Sequence, residues 1–190
     1  MKNIVLIGMM GCGKTTVGRR LAKRLERRFV DTDQYIEAAQ GRSIPEIFAH
    51  QGEAYFRDLE RETAETLARE RDLVIACGGG LPTRAEAIAA LKDSATVFWL
   101  NRDPGEIYDT VSMAGRPLGQ DGRAAFLDRF TQREPIYRRW ADYIISGTHT
   151  PAQTAEAILE VLRHELSDHQ RTESESAGPA GAGDLRPEQL

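Results

Sequence analysis

The run GMMGCGKT at residues 8–15 constrains this chain more than any other stretch. It has the spacing G-x-x-x-x-G-K-[ST], in which glycines let the backbone wrap with its N–H groups facing a phosphate. Such a nest needs a buried strand before it and a helix after it, whose N-terminus adds partial positive charge. Both neighbours are present. IVLI at 4–7 is a continuous apolar run, the pattern of a strand covered on both faces in a parallel sheet. Downstream, Val17, Leu21 and Leu25 recur every four residues, with Arg19, Arg20, Lys23, Arg24, Arg27 and Arg28 mostly elsewhere on the wheel. That is an amphipathic helix. In this setting Lys14 is expected to reach the β- and γ-phosphates of a nucleoside triphosphate, and Thr15 to ligate Mg²⁺. Gly11, Cys12, Gly13 and Thr16 are expected beside the same phosphates. Two duller origins fit worse. A glycine turn does not need the Lys-Thr pair. An export signal needs a core of roughly 7–15 apolar residues, longer than this run. MMGC at 9–12 resembles a lipoprotein cleavage site but leads directly into a basic helix.

Four more short apolar runs follow: FVD at 29–31, LVIA at 73–76, TVFWL at 96–100 and YII at 143–145. Helices are expected between them. One starts in DTDQYIEAAQ and ends near Gly41. Another opens at Ser43 as N-cap with Pro45 in its first turn. Longer helices are expected at about 52–70, 83–92, 124–139 and 152–166, and one more begins at Pro104. Strands alternating with helices predict an α/β fold, a three-layer sandwich around a five-stranded parallel sheet. Ligands of such sheets gather at the carboxyl ends of the strands. MAGRPLGQDGR at 113–123 is polar, rich in glycine and longer than most connections, as lids are. A lid is expected at about 112–123 within a single domain spanning 1–166. Residues 167–190 have almost no apolar content and are expected to form a disordered tail.

Composition narrows the function classes. Charged residues make up 28% and hydrophobic residues 41% of the chain, the balance of a soluble globular domain. A formal net charge of −4 disfavours a nucleic-acid partner, which wants a basic surface. No apolar run approaches the ~20 residues of a membrane-spanning helix. Cys12 and Cys77 are too few for a disulfide framework and predict free thiols in the cytoplasm. Guanine-reading proteins fit poorly, because NRDP at 101–104 lacks the lysine of Asn-Lys-x-Asp. Many motor ATPases end a strand in an Asp-Glu pair, whereas the third strand here ends in glycines.

Acids and arginines sit where strands should end. Asp31 and Asp33, two residues apart in extended chain, share a face. One could hold Mg²⁺ through water while the other meets an acceptor hydroxyl; helix capping by Asp is the ordinary alternative. Arg57 lies beside the buried stripe of its helix, with Glu53, Glu60 and Glu62 close by as solvated partners. Arg133 lies near Pro135, where a helix would bend or stop. Together Arg57 and Arg133 could clamp a carboxylate. Arg116 in the glycine-rich loop has the placement of a lid cation that neutralises charge during phosphoryl transfer. Gly78, Gly79 and Gly80 allow a ligand to approach the backbone closely. His50, His149, His164 and His169 show no metal-ligand spacing.

In order and spacing, GMMGCGKTTVGRRLA, DTDQYIE, GRSIPEIFAHQGEAYFRDLE, CGGG, GRPL and REPIYRRWADYII resemble the shikimate kinases over about residues 1–165. The resemblance implies a P-loop kinase of the nucleoside monophosphate kinase type. Such an enzyme moves the γ-phosphate of ATP to the 3-hydroxyl of shikimate, on the route to chorismate and aromatic amino acids. It further implies Lys14 and Thr15 on phosphate and Mg²⁺, and Asp31 on Mg²⁺ through water. Asp33 becomes the residue that holds the reacting hydroxyls and the candidate base. Arg57 and Arg133 become the carboxylate ligands, Gly78, Gly79 and Gly80 the substrate-side loop, and Arg116 the lid arginine. Two positions depart from the pattern. Where many members carry an adenine-side arginine, this chain has Asp109. A second adenine-side basic position falls in GTHTP, where His149 is its stand-in. The expected partners are ATP and shikimate, with no nucleic acid and no membrane, for a cytoplasmic monomer. Two other readings stay open: a related kinase of gluconate or homoserine, and a non-catalytic nucleotide-binding module.

Overall fold

The computed structural model describes residues 2–111, 122–147 and 150–176, with side chains described as far as Ser167. Its elements are β1 (Asn3–Ile7), α1 (Lys14–Leu25), β2 (Arg28–Asp31), α2 (Thr32–Gln40), α3 (Ile44–Ala68) and β3 (Leu73–Ala76). A 3₁₀ turn (Leu81–Thr83) leads to α4 (Ala85–Ser94), β4 (Ala95–Asn101), α5 (Pro104–Thr110), α6 (Arg123–Trp140), β5 (Tyr143–Ser146) and α7 (Pro151–Ser176). The five strands pair in parallel in the order β2-β3-β1-β4-β5.

The apolar run of β1 occupies the centre of the sheet because it can be buried on both sides. Val5 and Ile7 pack with Ile75, Val97 and Trp99 under α3, α4 and α6. Ile4 and Leu6 pack on the opposite face with Val74, Phe98 and Leu100, against Val17 and Leu21 of α1 and Ile158 of α7. Each fully buried side chain of this size contributes roughly 1.5–3 kcal/mol. A third, separate cluster lies off the sheet, where Ile36 of α2 meets Ile47 and Phe56 of α3.

Register brings the site together. Asp31 is level with Ala76, and Ala76 with Leu6, so β1, β2 and β3 end at one edge. The loops that follow them start there side by side.

Three local outcomes refine the sequence reading. α3 consists of two helical segments that meet in a kink at Gly52, where φ is 81° and ψ is 173°, close to where the sequence starts a new helix. Its start is fixed by a capping box, with the Ser43 N–H and Oγ both donating to Glu46 Oε2, at 2.8 and 2.6 Å. Pro135 does not end α6, which runs on to Trp140. Proline removes a donor but keeps helical φ, and Tyr137 beyond it is fully buried. α7 passes residue 166 and reaches Ser176, into the expected tail. That stretch is polar, but no glycine or proline interrupts it before Gly178.

Candidate active site

The loop after β1 turns on Gly8, Gly11 and Gly13, all at positive φ (141°, 81° and 103°). A residue other than glycine at Gly8 would also drive its Cβ to 2.7 Å from the Leu100 carbonyl oxygen. Lys14 opens α1 and folds back over the loop. Its Nζ donates to the carbonyl oxygens of Gly8 and Met9, each at 2.9 Å. Two of its three donors thus hold the ammonium over the loop while the side chain is otherwise buried. Cys12 is buried too, and its N–H donates to the Met9 carbonyl at 3.2 Å. Thr16 is exposed.

The acids stand beside this loop. Thr15 Oγ1 donates to Asp31 Oδ2 at 2.7 Å, and Asp31 Oδ1 accepts from the N–H groups of Asp33 (3.1 Å) and Gln34 (3.4 Å). Asp31 therefore caps α2 and faces the phosphate loop at once, so the capping and metal readings are compatible. Asp33 sits in the first turn of α2. Burial, reinforced by the charges of Asp31 and Glu60 and opposed by Lys14, pushes its carboxyl up to about 6. A carboxyl poised there is a credible general base near neutrality.

The triple glycine exists because side chains crowd it. A Cβ on Gly78 would lie 2.3 Å from Asp33 Oδ1, and one on Gly80 would lie 2.7 Å from Arg57 Nη1. Gly78 N–H donates to Thr32 Oγ1 at 2.8 Å, which ties the loop to α2.

Arg57 reaches the same cavity from α3. Its Nη1 donates to Glu60 Oε2 at 2.7 Å, and its Nε and Nη2 to Glu53 Oε1 at 3.1 and 2.8 Å. Burial works against this guanidinium, but Glu60 and Glu53 outweigh it and raise its pKa. Glu60 was read as a solvated partner; it is in fact 1% exposed. Burial lifts its carboxyl pKa against the pull of Arg57. From α6, Arg133 Nη1 donates to the Gly79 carbonyl at 3.2 Å, and Tyr137 Oη donates to the same oxygen at 2.7 Å.

A cavity of about 620 Å³ brings together Gly11, Lys14, Thr15, Asp31, Asp33, Arg57, Gly78, Gly79, Gly80 and Arg133, ten of the residues expected from sequence. Lys14 and Thr15 line it together with the acids, and Arg57 and Arg133 have N–H donors beyond those used in the bonds above. Arg116 with the expected lid, and His149, lie outside the described residues. Asp109 accepts from Arg123, at 3.1 and 3.3 Å. Sequence reasoning missed Glu60 and Tyr137 as parts of the site. Their spacing held the signal: Glu60 is three residues after Arg57 and Tyr137 four after Arg133, each on its arginine's helical face. Oxygen donors of Thr15 and Asp31 beside the loop fit Mg²⁺, which prefers hard oxygen ligands.

Comparison with known proteins points to one family. The family model described as shikimate kinase matches residues 10–163. A shikimate kinase of Clostridium beijerinckii is 38% identical over 167 residues, covering 87% of this chain and 98% of its own. The structure of the Acinetobacter baumannii shikimate kinase in complex with shikimate superposes with a TM-score of 0.79 at 37% identity, covering 88% of this chain and 94% of that one. The Aquifex aeolicus shikimate kinase gives 0.76 at 34% identity, covering 86% and 98%.

Proposed function

The chain belongs to the shikimate kinase family, and from that premise we propose that it transfers the γ-phosphate of ATP to the 3-hydroxyl of shikimate. The observation that carries this reading is the position of Asp33, which shares one cavity with the phosphate loop and with Arg57 and Arg133. Two guanidiniums suit the carboxylate of a compact ring acid. They would set that ring so that a hydroxyl meets Asp33 while the phosphates lie on the loop. Phosphoryl transfer needs little covalent chemistry from the protein, so positioning and charge neutralisation carry the rate. Asp33 orients the hydroxyl and accepts its proton as the new P–O bond forms. Lys14, released from the Gly8 and Met9 carbonyls, meets the charge on the transferring phosphate, and Arg116 adds to it from the lid. Thr15 and Asp31 would hold Mg²⁺, which when bound neutralises phosphate charge. Among the described residues no helix is long and apolar enough to cross a membrane. The enzyme works as a monomer in the cytoplasm, on a step toward aromatic amino acids.

Purified protein with Mg-ATP should release ADP only when shikimate is added; ADP release indifferent to shikimate would refute the proposal. Arg133→Ala should raise the shikimate KM roughly 10- to 100-fold, the worth of a hydrogen bond to a charged group, and leave the ATP KM within about twofold.

A further inference from the structure

The phenol of Tyr137 is fully buried, yet its hydroxyl has a specific task. It donates to the Gly79 carbonyl oxygen at 2.7 Å, while the Met9 sulfur is 3.9 Å away. A carbonyl oxygen has two lone pairs, and the second accepts Arg133 Nη1 at 3.2 Å. Gly79 itself is pressed on the phosphate loop: a Cβ there would come 3.3 Å from the Met10 nitrogen and 3.6 Å from the Gly8 oxygen. The Gly79 carbonyl thus joins the glycine loop to α6, while Gly79 itself lies against the phosphate loop. The Tyr137 ring packs 6.0 Å from that of Trp99 in the sheet. Burial pushes the phenol up to about 12, so it remains a donor across the working range.

Resting on the shikimate reading, we propose that Tyr137 is a positioning residue for the acceptor: its hydroxyl fixes the Gly79 carbonyl, and through it the aim of Arg133. With the hydroxyl in place, Arg133 needs to give this oxygen only one N–H and keeps the others for a carboxylate. Without it, the half-buried carbonyl loses its shorter hydrogen bond and rests on Arg133 alone, which draws that guanidinium more strongly inward.

The test is Tyr137→Phe in the full chain, assayed for ADP release with shikimate and ATP varied in turn. The shikimate KM should rise roughly three- to tenfold, the worth of one buried hydrogen bond, with the ATP KM unchanged. KM does not depend on the fraction of active enzyme, so partial loss of fold lowers kcat without imitating this result. In an Arg133→Ala background the same substitution should change the shikimate KM less than twofold, because its effect runs through Arg133. An unchanged shikimate KM, an equal rise in both KM values, or full additivity with Arg133→Ala would each overturn the proposal. Wild-type protein without shikimate-dependent ADP release would instead sink the kinase reading, and this inference with it.

Discussion

In the proposed reaction Asp33 faces two demands that pull in opposite directions. It must be anionic to take a proton, and it must be withdrawn from water to meet the acceptor beside two other acids. Its carboxyl pKa, lifted from 3.8 to about 6, records the compromise. Acting as a base, it should make kcat/KM for shikimate fall tenfold per pH unit below about 6 and level off above. Initial rates at limiting shikimate from about pH 5 to 8 check this; a flat profile would remove Asp33 from the role. The same shift has a stability consequence. Between 3.8 and about 6 the folded chain holds a proton that the unfolded chain has released, so stability falls as pH rises across that window. The full penalty persists above it. Two pH units correspond to about 3 kcal/mol, and partial exposure reduces this to roughly 1–2 kcal/mol. Asp33→Asn should therefore abolish shikimate-dependent ADP release yet melt higher than wild type at about pH 7.5, the gain shrinking toward pH 4. A mutant that is both inactive and less stable at every pH would mean that Asp33 is structural. Gly78 sharpens the point at the same scale: its missing Cβ is the space Asp33 Oδ1 occupies.

At the scale of elements, α3 does the most to shape the acceptor end. Its two segments carry different parts of the cavity, Ile44 and Phe48 before the kink and Phe56, Arg57 and Glu60 after it. Gly52 at φ 81° and ψ 173° lies in a region essentially reserved for glycine. No atom lies within 4 Å of a Cβ added there, so the cost of a side chain would be conformational and not steric. Gly52→Ala should destabilise the protein by about 1–3 kcal/mol, a fall of several degrees in Tm for a domain of this size. It should also raise the shikimate KM, since the Phe48 and Phe56 rings meet across the kink, 4.9 Å apart, and Arg57 lies over Phe56. An Ala variant with unchanged Tm and unchanged KM would show that α3 straightens freely and that the angle is not part of the site. The sequence located this break, because FAHQGEAYF interrupts the apolar periodicity with glycine.

The molecule as a whole divides what local pattern reveals from what packing decides. Parallel strands, the phosphate loop, Asp31 and Asp33 at a strand end, and the arginine pair were legible because each rests on short-range periodicity or fixed spacing. The order β2-β3-β1-β4-β5 was not, since nothing within a strand names its neighbour. Nor was the burial of Glu60, or the second life of Tyr137, whose hydroxyl meets a residue 58 positions away. The same division makes a test of the whole assembly. The proposed nucleotide contacts lie mainly where the central strands end, whereas Arg57 belongs to the off-sheet helices and Arg133 to α6. Each ligand therefore ties separate parts together and should stabilise the fold by mass action. At about 100 times its Kd a ligand adds ~2.7 kcal/mol. At roughly 2–4 °C per kcal/mol this is a Tm rise of about 5–10 °C for shikimate and for Mg-ATP separately. Arg133→Ala should lose the shikimate shift and keep the nucleotide shift. Lys14→Ala should do the reverse. Loss of both shifts in either variant would mean that the two half-sites form only together, and that the cavity is less preorganised than its hydrogen bonds indicate.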